Sequence, residues 1–320
     1  MEKDSRVYVA GHRGLVGAAL VRALQSMGYR NILTCTRAEL DLMRQTEVER
    51  FFREQKPEYV FLAAARVGGI HANNTYPADF IYENLAIETN VIRAAFQSQV
   101  RKLLFLGSSC IYPKYAAQPM QETCLMTGEL EPTNAPYAVA KIAGIVMCQS
   151  FNRQYGTQFI STMPTNLYGP GDNFDLENSH VIPALIRKFH EARVSGLKHV
   201  AVWGTGQARR EFLHVDDLAD ACIFLMEKYE GNDIVNIGSG EDIRISDLAS
   251  AVRDTVGFEG EIEYDTSRPD GTPRKLLDVS RIHALGWRHR IGLLEGLKDT
   301  YRWYLENPGL IRKAQGSSLP

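Results

Sequence analysis

No long apolar run, no cysteine pair and no surplus of either charge occurs in this sequence, and each absence removes a class of protein. The 36 lysines and arginines are nearly matched by 38 acidic residues, a net charge of −2, so no basic field gathers nucleic acid or an anionic membrane. An anionic ligand has to be held by local cations and backbone dipoles. No apolar stretch approaches the ~20 residues that a membrane-spanning helix needs. The five cysteines (Cys35, Cys110, Cys124, Cys148, Cys222) are odd in number, widely spaced and free of any C-x-x-C pair. Neither a disulfide framework nor a zinc or other metal site is expected. Repeats and low-complexity segments are missing too. The chain enters an apolar run, "RVYVAG", at residue 6, which leaves no room for a signal peptide. A reducing cytoplasm is the expected setting.

What is present is globular: 44% apolar and 23% charged residues, with 320 residues in all, enough for about two domains. Short apolar runs alternate with longer amphipathic ones. "RVYVAG" precedes a helical stripe of Leu15, Ala19, Leu20, Ala23, Leu24 and Met27. "NILTCT", "YVFLAAA", "KLLFLGSS" and "FISTMPTNLYG" follow, with helices expected near 47–54, 80–98 and 137–155 between them. Runs apolar throughout are buried on both faces, and helices between them imply parallel crossovers. The fold class is therefore α/β, a doubly wound, Rossmann-type parallel sheet. After Pro164 the pattern grows richer in Gly, Pro and Asn, with helices expected near 181–193, 215–228, 246–256 and 292–306. A second, smaller, mixed α/β substrate domain is expected over residues 171–320. The first domain spans 1–170 and takes back a segment of about 212–238.

"GHRGLVG" places Gly11, Gly14 and Gly17 between the first strand and the first helix. Glycines there permit a tight turn, close approach of the backbone to a pyrophosphate, and helix-on-strand packing at a helix N-terminus. NAD sites follow the second strand with an acidic residue, NADP sites with an arginine. Here that strand runs into Thr36 and Arg37, with no carboxylate before Glu39, and Arg13 adds a cation inside the turn. NADP is the expected cofactor.

"PYAVAK" carries Tyr137 and Lys141 at i and i+4, on one helix face. An ammonium beside a phenol lowers its pKa and makes it a proton donor near neutral pH. A half-buried tyrosine near a solvated lysine has the same spacing; Ser108, at the end of the preceding strand, weighs against that alternative.

With these residues in place the chain resembles the extended, nucleotide-sugar-modifying branch of the short-chain dehydrogenase/reductase superfamily over nearly its whole length. The resemblance implies that Ser108 and Tyr137 hydrogen-bond the reacting oxygen and that Lys141 holds the nicotinamide ribose. It extends the cofactor site through Gly11, His12, Arg13, Gly14, Leu15, Val16 and Gly17, then Arg37, Ala38, Glu39, Leu40, Asp41 and Leu42. Leu106, Gly107, Ser108 and Ser109 follow, then Pro164, Thr165, Asn166 and Leu167, with His180 last.

Dehydratases of this branch carry an Asp-Glu pair where this chain has Ser109 and Cys110. Simple 4-epimerases hold NAD and show an acidic residue after the second strand. "AAARVGGIHANNTYPADFIYEN", "GSSCIYPK", "NSHVIPALIRKFHEA", "VWGTGQARREFLHVDD" and "PDGTPRKLLDV" instead resemble the 3,5-epimerase/4-reductases of GDP-4-keto-6-deoxy-D-mannose. In that group Cys110 and His180 are the implied acid–base pair, and Lys188, Trp203, Arg210 and Asp270 the implied GDP-sugar contacts. Lys188 stands where the group often has arginine, keeping the charge but not the fork. Read alone, Cys110 is also a small buried hydrophobe and His180 a residue at a helix start, which Asn178 or Ser179 could cap. The resemblance further implies a homodimer built on the helices near 81–98 and 137–155. A non-catalytic NADP(H)-sensing protein would have lost the serine, the tyrosine or the lysine, and all three are present. The alternative kept open is an epimerase or reductase on a related nucleotide 4-keto-6-deoxy sugar.

Overall fold

A computed structural model describes residues 1–310 except 177, 178 and 269. The chain runs β1 (Arg6–Ala10), α1 (Leu15–Ser26), β2 (Asn31–Leu33), α2 (Gln45–Gln55), β3 (Tyr59–Leu62), α3 (Ile70–Thr75), α4 (Pro77–Gln97) and β4 (Lys102–Leu106). It continues through α5 (Ala135–Tyr155), β5 (Phe159–Pro164), β6 (Asn166–Tyr168), α6 (Val181–Val194), β7 (His199–Trp203), β8 (Arg209–His214) and α7 (Val215–Lys228). Then come β9 (Val235–Ile237), β10 (Asp242–Arg244), α8 (Ile245–Val256), β11 (Glu261–Asp265), β12 (Arg274–Lys275), α9 (Ser280–Ala284) and α10 (Leu293–Glu306).

Among the described residues the central sheet has six strands in the order β2-β1-β3-β4-β5-β9, all parallel. Every residue of β4 and β5 is buried, as strands covered on both faces must be. The path turns outward from β1 in both directions, so the crevice between β1 and β3 at the carboxyl edge is the topological switch point, where such sheets bind ligands. α4 packs along α5, and α1 along α7, the latter pair tied by Arg22 and Asp216 at 2.6 Å.

Only Thr165 separates β5 from β6, yet β6 leaves the central sheet and pairs with β8. β8 is flanked by β10 and β12, while β7 and β11 form a separate parallel ribbon. Strand β8 is shared between two apolar cores. Phe212 belongs to the core formed with α6 and α8, and Leu213 to the core under the central sheet. The helix expected at 181–193 is α6; its cap position falls on His180, which makes no side-chain capping bond. Asn178, one of the two caps expected, lies outside the described residues. No helix among the described residues is long and apolar enough to cross a membrane.

Candidate active site

The glycine turn is built as phosphate-binding chemistry requires. Gly11 has φ +86°, and a Cβ there would stand 2.7 Å from the Ala64 nitrogen at the end of β3. A Cβ on Gly17 would come 2.1 Å from the Gly11 carbonyl oxygen. Gly14 starts α1, and its N–H donates to the Gly11 oxygen at 2.9 Å. The His12 Nδ1 in this turn is buried and has no partner. Leu15 and Val16 begin the helix behind it. The cradle thus fits a pyrophosphate, with free helix-end N–H groups facing it. Gly17→Ala should force the turn open and weaken NADPH binding by roughly tenfold or more, read by fluorescence titration. Unchanged affinity would remove the cradle from the cofactor site.

Beyond β2, Thr36 donates both its N–H and its hydroxyl to Glu39, at 2.7 and 2.8 Å. These bonds hold the Glu39 carboxyl below its usual range, and spend it on its own turn. Arg37 is left 73% exposed, with a 4.0 Å approach to Glu83 and a 3.6 Å contact to the Met43 sulfur, and Arg13 is exposed as well. The Ala38–Leu42 loop is fixed by buried Leu40, by Asp41 accepting from the Met43 N–H, and by Leu42, whose carbonyl accepts from Asn90.

The ends of β4 and β5 supply the rest of the edge. Gly107 follows Leu106, and a Cβ there would meet the Met163 sulfur at 2.5 Å. Ser109 is buried behind it. Pro164 ends β5, Thr165 donates its N–H to Ile237, and Asn166 beside Leu167 donates to the Glu211 carbonyl at 2.8 Å.

Ser108 and Cys110 come together. The Cys110 Sγ lies 3.1 Å from the Ser108 Oγ, which also accepts the Cys110 N–H at 3.3 Å. Tyr137 is hydrogen-bonded to Ser108 and packs edge-on against Phe80, with ring centroids 6.2 Å apart. The expected lowering of its pKa is not found. Burial pushes the phenol well above its ordinary value, and Cys110 and Glu88 add to this, against the Ser108 bond.

Glu88 is a residue that sequence reasoning missed. It lies on the buried stripe of α4 with Phe80, Asn84 and Val91. The Lys141 Nζ stands 3.0 Å from its Oε1 and 5.9 Å from the Tyr137 ring centroid. Removing one partner of such a buried pair costs about 3–5 kcal/mol.

His180 stands exposed at the start of α6, yet desolvation by the protein around it, then the Lys275 ammonium, lowers its pKa. Both effects favour the neutral imidazole, the form that can accept a proton. Lys275 also interacts with Cys110, and the two line one cavity with Glu131 and Asn134. Sequence reasoning missed Lys275 as well; its only signal was its place in "GTPRK".

The four residues expected at the nucleotide sit on the second layer in two linked pairs. Lys188 lies over the Trp203 ring at 5.2 Å, with Arg268 at 5.0 Å. Arg210 donates to the Asp270 carbonyl at 3.3 Å, while the Asp270 carboxylate accepts from the Thr205 N–H and hydroxyl at 2.7 Å each. Burial lowers the Arg210 and Lys188 pKa values. Arg210 pairs in register with Lys275, so one step across the β8–β12 ladder joins the cations of the two ends.

The family model described as "NAD dependent epimerase/dehydratase family" matches residues 7–238. GDP-L-fucose synthase 1 of Arabidopsis thaliana is 61% identical, over 96% of this chain and 95% of its own. GDP-L-fucose synthase of Escherichia coli (strain K12) is 55% identical, over 96% and 98%. A solved GDP-mannoheptose C4 reductase from Campylobacter jejuni with NADP bound superposes with TM-score 0.87 at 43% identity, over 95% of this chain and 99% of that one.

Proposed function

The chain belongs to the NAD dependent epimerase/dehydratase family, and from that premise we propose that it converts GDP-4-keto-6-deoxy-D-mannose to GDP-L-fucose with NADPH. It is an NADP-dependent bifunctional epimerase and reductase, as its 55–61% identity to GDP-L-fucose synthases over nearly full length supports. The observation that carries the reading is the 3.1 Å contact of Cys110 with Ser108. It sets a proton-exchanging thiol beside the hydroxyl that polarises a carbonyl.

A ketone at C4 acidifies the protons at C3 and C5, because the carbanion delocalises into an enolate. Inversion at each carbon removes a proton from one face and returns one to the other, which takes two groups on opposite sides of the ring. Cys110 and His180 are those groups. NADPH, when bound, supplies the hydride for C4. Ser108 and Tyr137 hold the C4 oxygen, and Tyr137 gives it a proton. Lys141 orients the nicotinamide ribose, the glycine turn takes the pyrophosphate, and Arg13 and Arg37 take the 2′-phosphate. Lys188, Trp203, Arg210 and Asp270 hold the GDP end.

The domain division at residue 170, the site roles above, a cytoplasmic setting and a homodimer are part of the same proposal. All five cysteines are free thiols, which suits a reducing compartment. Tyr82 on α4 and Val139 and Val146 on α5 are exposed apolar side chains that a second copy could cover.

Incubation with GDP-4-keto-6-deoxymannose and NADPH in deuterated water tests the whole. Deuterium at C3 and C5 of a 4-reduced product is expected. Reduction without isotope entry would favour the second reading, a C4 reductase on a related GDP-sugar, which the likeness to the mannoheptose reductase supports. Isotope entry without NADPH oxidation would sink the reductase half.

A further inference from the structure

A buried carboxylate stands behind the reacting groups, on a helix that carries none of them. The Glu88 side chain is 1% exposed and that of Lys141 is 2% exposed, 3.0 Å apart. The pair is sealed by Phe105, whose ring centroid lies 4.7 Å from the ammonium. Gly144 leaves it room: a Cβ there would come 3.0 Å from the Glu88 Oε2. Two helices and a strand end are therefore shaped around one charge pair.

We propose that Glu88 is a positioning residue for the reduction: its carboxylate seats the Lys141 ammonium and offsets its charge, so that Tyr137 keeps the proton it must deliver to the C4 oxygen. The proposal rests on the reading of the site as a 4-keto reductase. Reduction needs a protonated phenol in the resting enzyme, whereas alcohol oxidation needs a phenolate ready to accept. A lone ammonium draws the proton off the phenol; a carboxylate beside it restores the balance.

The titratable and charged groups that face Tyr137 are Cys110 from the loop after β4, Glu88 from α4, and Lys141 from its own helix. Those that face Glu88 are Lys141 and Cys148 of α5, together with Tyr137. Burial, then Cys110 and Glu88, hold the phenol proton in place. With the Glu88 charge deleted, the phenol ionises more readily and Tyr137 loses its proton at a lower pH. Reduction requires that proton, so its alkaline limb follows.

The test compares wild type, Glu88→Gln and Glu88→Asp. Two pH profiles are measured for each: kcat for NADPH oxidation at saturating 4-keto sugar, and deuterium entry at C3 and C5. In the Gln variant the alkaline limb of reduction should move down by about one pH unit or more, a tenfold change in proton affinity. Glu88→Asp draws the charge back by one methylene and should move the limb the same way by less. The exchange profile should stay in place in both. Limbs that coincide with wild type, at whatever absolute rate, would reduce Glu88 to a structural residue and overturn the proposal, as would both profiles moving together. Should the Gln variant fail to fold, the Asp variant decides by the same criterion. A wild-type enzyme that neither oxidises NADPH nor takes up deuterium overturns the functional reading and the proposal with it, a result distinct from an unmoved limb.

Discussion

Tyr137→Phe is expected to lower NADPH oxidation on the 4-keto sugar by about 10²–10⁴-fold while deuterium still enters at C3 and C5. The phenol is the group placed to protonate the C4 oxygen, and its proton is held firmly by burial. Phenylalanine keeps the edge-on contact with Phe80 and opens no cavity, so the melting temperature should hardly move. Single-turnover absorbance of the reduced nicotinamide reads reduction, and mass spectrometry of recovered sugar reads exchange. A variant that reduces at near wild-type rate would take Tyr137 out of the chemistry. One that loses both activities together would mean the phenol binds substrate rather than donating a proton.

Cys110→Ser carries the complementary expectation. Deuterium entry at C3 and C5 should fall by about 10²-fold or more, because an alcohol does not exchange protons near neutral pH as a thiol does. The thiol is nearly buried, 8% exposed, and serine fits the same space. The serine hydroxyl can also keep a hydrogen bond to Ser108, so loss of exchange would report on proton transfer rather than on folding. Inversion of both centres at the wild-type rate would remove the role assigned to the thiol.

The parallel sheet could be read from sequence because its strands are buried on both faces. β4 and β5 are buried from end to end and largely apolar, and such runs between amphipathic helices have one architectural solution. The second layer gave little signal. β10 and β12 are three and two residues long, and β7 alternates buried with exposed side chains among glycine-rich loops. The split of "FISTMPTNLYG" into strands of two sheets depends on β8, which lies over forty residues further on. Within the site, motif residues stood out because chemistry restricts their type and spacing. Glu88 did not, since in "NLAIETN" it reads as one more charge on a helix. Its burial exists only once α5 lays Lys141 against it. The sign of the Tyr137 shift was illegible for the same reason: burial, then Cys110 and Glu88, raise it against what the i, i+4 lysine suggests.

Strand β8, with Phe212 in one core and Leu213 in the other, limits how this protein can be recombined. The apolar core under the central sheet takes residues from before Pro164, then from Leu213 to Ile237, then from Leu277 to Trp287. The second core draws on the stretches between and after these. A chimera that borrows its sugar-recognising half from a relative therefore cannot be made at a single junction. It needs several crossovers, and the one within β8 would fall between adjacent residues whose side chains serve opposite layers. Changes of substrate in this scaffold are reached more readily by exchanging individual side chains along the β8–β12 ladder than by shuffling domains.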